Sequence, residues 1–159
     1  LRGQGFHVFH DLPAQGSTKA FNLDHVVVGP SGVFVIETKA RSKPNATATD
    51  NDHRVSFDDK GLHWPTGLDT KSPEQARLNA LWLAEWIHKQ LGFTPEVTPI
   101  LAIPGWWVDR TGRSGVGVVT VSHKELASAI RGPKVLETQV IDQIRRQLDS
   151  VCRNIDTVL

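Results

Sequence analysis

Apolar residues fall along this chain in runs of two different periods. His25 to Val28 and Val33 to Ile36 are short, nearly continuous and β-branched, and Gly29-Pro30-Ser31-Gly32 between them is turn chemistry, so the pair predicts a β-hairpin. A preceding strand is expected at Phe6 to Leu12. Later ones are expected at Val97 to Ile103, ended by Pro104, and at Val116 to Val121. Arg41 to Lys71 is polar and Asp-rich. It reads as an excursion carrying a small hairpin, Arg54 to Phe57 and Leu62 to Trp64, around an Asp58-Asp59-Lys60-Gly61 turn.

Helical spacing takes over after Lys71. Ser72 is an N-cap candidate, Pro73 suits the first helical position, and Leu78, Leu81, Trp82, Trp86, Ile87 and Leu91 recur at helical intervals until Gly92. Ser122-His123-Lys124-Glu125 has the form of a capping box opening a short helix that ends near Gly132. A last helix is expected from about Glu137, with Val140, Ile141, Ile144, Leu148, Val151 and Ile155 on one side. No internal repeat, low-complexity tract or second core is evident. Strands with helices between them predict a single α/β domain over residues 1–159.

Composition narrows the class. At 159 residues, 39% hydrophobic and 22% charged, the chain fits one soluble globular domain. Eighteen Lys and Arg against 17 Asp and Glu leave a net charge of +1, so no global field draws nucleic acid or membrane, and any polyanion site must be local. Cys152, the only cysteine, excludes an internal disulfide; it is expected as a packed thiol in a helix and fits a reducing, cytoplasmic compartment. No apolar run is long enough to span a membrane, and no basic-then-apolar segment opens the chain. Asn45-Ala46-Thr47 matches a glycosylation acceptor, a pattern without meaning in a cytosolic protein. Methionine is absent even at the first position, so the sequence reads as a piece of a longer protein whose upstream part bears on localisation.

Charge placement supplies the candidate chemistry. If Val28 pairs with Val33, Asp24 lies opposite Glu37, and the period of two puts Lys39 on the same face. Opposed carboxylates about 5 Å apart repel unless something positive lies between them. A hard divalent cation such as Mg²⁺ or Mn²⁺ suits them, because it takes oxygen ligands and needs only one or two carboxylates from protein. The plain alternative is that hairpin ends carry charge because they fray into solvent, with Lys39 neutralising one acid. The spacing alone favours that alternative. The conjunction favours a site: three charges on one face, each at the outer end of a strand too apolar for an exposed edge.

At these residues "NLDHVVVGPSGVFVIETKA" resembles the core of the nuclease-related domain, a branch of the PD-(D/E)XK restriction-endonuclease-like superfamily. "SPEQARLNALWL" is similar to that family's Pro-x-Gln helix start, and the likeness runs from about Gly5 to Pro104. The resemblance implies a central mixed sheet flanked by helices. It also implies Asp24 and Glu37 as metal-binding acids, the Thr38 carbonyl as a further ligand, Lys39 as the catalytic lysine, and Gln75 on the active-site face. Gln75 reads equally as the second member of a Ser72 capping box. A superfamily glutamate usual on a helix before the first core strand has no counterpart in this sequence, so this piece alone is expected to cleave weakly.

The implied reaction is metal-assisted phosphodiester hydrolysis of nucleic acid, DNA in the first instance, with Lys39 orienting the attacking water or offsetting developing charge. The seven histidines show no metal-ligand spacing, and His25 is expected on the face opposite Asp24. A second class stays open: an inert nucleic-acid-binding or protein-docking module that uses Lys39, Arg41, Lys43 and Lys71 as phosphate contacts. Trp106 and Trp107 read either as a base-stacking platform or as core and rim.

Overall fold

The computed structural model describes residues 4–14, 20–42, 53–110 and 119–156. The expected Asn45-Ala46-Thr47 motif, Lys43 and the Val116 end of a predicted strand lie outside these residues, as does the side chain of Ile155. In chain order the strands are β1 (His7–Ala14), β2 (Phe21–Gly29), β3 (Gly32–Thr38), β4 (Arg54–Asp58), β5 (Gly61–Trp64) and β6 (Gly67–Asp69). Helix α1 (Lys71–Leu91) follows, then β7 (Val97–Ile103), β8 (Trp107–Arg110) and β9 (Val119–Ser122), and the helices α2 (Leu126–Ile130) and α3 (Thr138–Asp156).

The β2–β3 hairpin takes the counted register, Val28 opposite Val33 and His25 opposite Ile36. Its turn depends on glycine: Gly32 has φ 137°, and a Cβ at Gly29 would lie 2.2 Å from the Phe6 ring. The hairpin is the centre of a five-stranded mixed sheet ordered β1-β2-β3-β7-β9, in which β1 is antiparallel to β2 while β7 and β9 run parallel to β3. Being covered on both faces explains the near-continuous apolar runs of β3 and β7. On one face Val26, Val28, Val33 and Val35 meet Leu83 and Ile87 of α1 and Ile141, Ile144 and Leu148 of α3. On the other, Val27, Phe34, Ile36 and Ile100 meet Ile130 of α2. The α/β architecture is therefore a central mixed sheet flanked by helices, as expected.

Strand alternation breaks once. Phe9 and Leu12 of β1, and Leu23 and Val26 of β2, are three apart yet share one core cluster. Asp11, with φ 52°, sits in the middle of this shift, and its carboxylate accepts a hydrogen bond from Asn22 Nδ2 at 2.8 Å. Asp is among the residues that tolerate this left-handed backbone, since its short polar side chain can bond locally.

Three expectations need correction. Ser72 does not cap α1: it lies inside the helix, after Thr70, and the Asp69 carboxylate accepts from the backbone N–H groups of Lys71 (3.1 Å) and Ser72 (3.0 Å) and from the Ser72 hydroxyl (2.6 Å). An Asp just before a helix satisfies the same orphan donors with a full charge, which outcompetes a serine hydroxyl. The buried face of α1 is also only part of the large apolar stripe: Trp82, Trp86, Ile87 and Leu91 pack on the main core. Leu78 and Leu81 are exposed, and Ala76, Asn79, Ala80, Leu83 and Ile87 face inward, because small residues let the helix sit close on β3 and β7. Gly92 does end α1, left-handed at φ 81°, donating its N–H to the His88 carbonyl. Ser122 forms no side-chain cap: His123–Glu125 is a 3₁₀ turn ahead of α2, and the tighter turn departs from the geometry a capping box requires.

The polar excursion holds more than a hairpin. β4 and β5 pair as expected, with Asp58 opposite Gly61, but β6 and β8 extend them into a second, four-stranded sheet ordered β6-β5-β4-β8. It has its own cluster, which the sequence pattern did not reveal: Val55, Phe57, Leu62, Trp64 and Trp106 pack on Ala76 of α1 and on Leu101 and Ile103 of β7. The second sheet therefore rests on the start of α1 and the end of β7, the end of the main sheet where β3 delivers Glu37 opposite Leu101.

Candidate functional site

At that end β2 and β3 run out, and the groups their last residues carry meet. The Asp24 carboxylate accepts the Thr38 backbone N–H at 3.0 Å, and the Asp24 backbone N–H and side chain both hydrogen-bond the Glu37 carboxylate. Glu37 is half-buried. Burial first, and the Asp24 charge second, push its carboxyl up to about 7, against a hydrogen bond from Asn79 that pulls it down. Glu37 is thus poised to gain or lose its proton near neutrality.

Asn79 was not anticipated. It lies on the inward face of α1, 3% exposed, and its Nδ2 donates to Glu37 Oε1 at 2.6 Å while its Oδ1 accepts from Gln75 Nε2 at 2.8 Å. Gln75 therefore stands on the acid-facing side of α1 through Asn79, and the capping-box alternative for it is excluded by the position of Ser72 within the helix. The signal available in the sequence was the spacing: Gln75 and Asn79 are i, i+4 on the stripe that also holds Ala76, Ala80 and Leu83. An Asn on a helix ordinarily faces outward, so this spacing alone does not single it out.

Lys39 continues the ladder by one residue, donating its backbone N–H to the Ala102 carbonyl at 2.9 Å. Its side chain is exposed, and its charge acts on Asp69. Arg41 reaches the same carboxylate at 3.5 Å, lies over the Trp64 ring at 4.6 Å from its centroid, and donates to Thr66 Oγ1 at 3.4 Å. This guanidinium is thus engaged by its own protein. Burial would raise Asp69, but the Ser72 donors and the Arg41 and Lys39 charges outweigh it and hold its carboxyl low. Lys71, exposed, opens α1 beside it.

His25 shares a 2.8 Å Nδ1–Nδ1 hydrogen bond with His10; burial and then the His10 charge lower it, opposed by Asp24. Trp106 is core, edge-on to Trp64 and donating Nε1 to the Arg41 carbonyl at 3.3 Å, whereas Trp107 is exposed. Trp106 is therefore core and cannot be a platform, while Trp107 stands at the rim.

A family model for the nuclease-related domain matches residues 1–104 of the 159. The chain belongs to the nuclease-related domain family. Its central mixed sheet and flanking helices are consistent with placement in the PD-(D/E)XK superfamily. No curated protein and no solved structure matches it significantly. Within this nuclease-related domain the acid pair offers hard oxygen donors only, with a charge excess that its own residues leave uncompensated, and that chemistry fits a hard divalent cation. Among the described residues no three His, Cys, Asp or Glu side chains converge, so such an ion would take two protein carboxylates. No described helix is long and apolar enough to cross a membrane.

Proposed function

We propose that this chain hydrolyses phosphodiester bonds of nucleic acid, DNA in the first instance, using Mg²⁺ or Mn²⁺ held by Asp24, Glu37 and the Thr38 carbonyl. The observation that carries the reading is the pairing of Asp24 with a half-buried Glu37 whose carboxyl is pushed up to about 7. Such a pair destabilises the protein slightly, and a bound cation relieves it. When bound, the cation polarises the phosphoryl oxygen and makes an attacking water more acidic.

The chain's own residues do the rest. Asn79, backed by Gln75, fixes the Glu37 carboxylate in one orientation, the kind of support that keeps a ligand geometry from drifting. Lys39, at the outer end of β3, offsets charge that develops on the phosphate. Lys39 and Lys71, with Lys43 outside the described residues, hold neighbouring phosphates, while Arg41 serves the scaffold through Asp69 and Trp64.

One observation supports the inert binding module instead: only two carboxylates meet at the site among the described residues. Cleavage of labelled single-stranded DNA, duplex DNA and RNA in Mn²⁺ and Mg²⁺, by the wild type and by Glu37→Gln, separates the readings. The nuclease reading expects metal-dependent cleavage by the wild type and none by the variant, with melting temperature equal or slightly higher. Cleavage that survives Glu37→Gln contradicts it, and nucleic-acid binding without cleavage favours the module.

A further inference from the structure

Trp107 keeps 63% of its surface exposed, next to a Trp106 that is 5% exposed. An indole left this open is costly in contact with water, so its surroundings bear on its use. Trp107 is not loose. Its Nε1 donates to Asp109 Oδ1 at 2.8 Å, and Arg54, its neighbour across the β4–β8 pair, sits with its guanidinium 5.7 Å from the ring centroid. Arg54 in turn bonds Asp109 at 3.2 Å, so an Arg–Asp bridge locks the ring and neutralises the nearest acid.

The ring borders a cavity of about 460 Å³ whose wall includes Trp106, Val108, His53 and Lys124, with Glu125 its only carboxylate. Lys124 and Glu125 are the charged residues of this wall, while Arg54, bridged to Asp109, flanks the ring. Its position matters as well. Ala102 pairs with Thr38 beside the acids, and Trp107 follows five residues later, which limits the separation of the two backbones to about 18 Å. A strand of nucleic acid covers that span in about five base steps.

We infer that Trp107 is a stacking platform for an unpaired nucleobase of a polynucleotide whose backbone passes the Asp24–Glu37 end of the sheet. The inference rests on the nucleic-acid reading above. A base offers a flat π-face to the indole, which Arg54 and Asp109 hold in place, and Lys124 is the cation on the cavity wall for a neighbouring phosphate. Locking the ring in advance lowers the ordering cost of binding. Bases inside a duplex have both faces covered, so the platform selects single strands.

The test is fluorescence anisotropy of a labelled short oligothymidylate and of a duplex of equal length, without divalent cation, on the wild type, Trp107→Ala and Trp107→Phe. Expected is a roughly tenfold loss for the single strand in Trp107→Ala, about 1.4 kcal/mol. Trp107→Phe should recover most of it, and duplex affinity should stay unchanged in both variants. An oligothymidylate bound equally by wild type and Trp107→Ala overturns the platform while leaving the nucleic-acid reading standing. Absence of binding to every probe by the wild type overturns both. Equal melting temperatures show that the variants are folded, as the exposed position of the ring leads one to expect.

Discussion

Two carboxylates stand at the same end of the main sheet and are treated in opposite ways. Asp69 is surrounded by donors, the Lys71 and Ser72 backbone N–H groups and the Ser72 hydroxyl, and by the Arg41 and Lys39 cations, which keep it ionised despite burial. Glu37 has one side-chain amide donor, Asn79, which pulls it down, but burial first and the neighbouring Asp24 charge second push it up to about 7. The first arrangement stabilises a helix start and ties the second sheet to it. The second holds charge in tension that a proton relieves, as a cation would. The contrast separates an acid that builds the fold from one kept ready for a ligand.

The largest effect expected from breaking this contrast falls on the fold. Asp69→Ala removes the charged cap of α1 and leaves Arg41 without its acid, a loss of about 2 kcal/mol, or about 4–8 °C in melting temperature by thermal denaturation. A melting temperature unmoved by Asp69→Ala would make the two acids alike.

Asn79→Ala tests the other side. Removing an outer support of a metal ligand typically costs roughly 10–100-fold in metal affinity or activity. It also removes the hydrogen bond that lowers Glu37, so the carboxyl should titrate above about 7, a change read by carboxyl carbon NMR. Titration at or below that value would place Asn79 outside the site.

A smaller effect concerns pH. Because the folded-state value of Glu37 is raised from 4.5 to about 7, its stabilising contribution is fully present below pH 4.5 and is lost as pH rises through 7. Partial contact with solvent limits this to about 1 kcal/mol, or about 2–4 °C. Thermal melts without divalent cation should therefore show the wild type losing stability relative to Glu37→Gln across that window. Parallel curves for the two proteins would mean that Asp24 and Glu37 do not repel.

Much of this was legible in the sequence, and the reason differs by region. The hairpin register followed from turn chemistry and β-branched runs, and it brought Asp24 to Glu37 because a strand period of two leaves little freedom. β7 and α3 were legible for the same reason, each a long run of one period. β6 and β8 were not, being three and four residues long, and β8 pairs with β4 across a large sequence separation, Arg54 opposite Trp107. Asp69 escaped notice because Ser72-Pro73 mimics a helix start so well, and Asn79 because its role depends on which face of α1 is buried. Charge alone makes Lys39 and Arg41 equivalent phosphate contacts, and only the fold reveals that Arg41 lies over Trp64 and reaches Asp69.

The central claim is that Asp24 and Glu37 together hold a divalent cation, and calorimetric titration of Mn²⁺ into the wild type, Asp24→Asn and Glu37→Gln tests it most directly. The account predicts one ion per chain for the wild type and none for either variant. At pH 7 about half a proton should leave per ion bound, read from the dependence of the heat on buffer ionisation, because Glu37 must give up its proton to the cation. Equal Mn²⁺ binding by all three proteins, or no binding by the wild type, would contradict it.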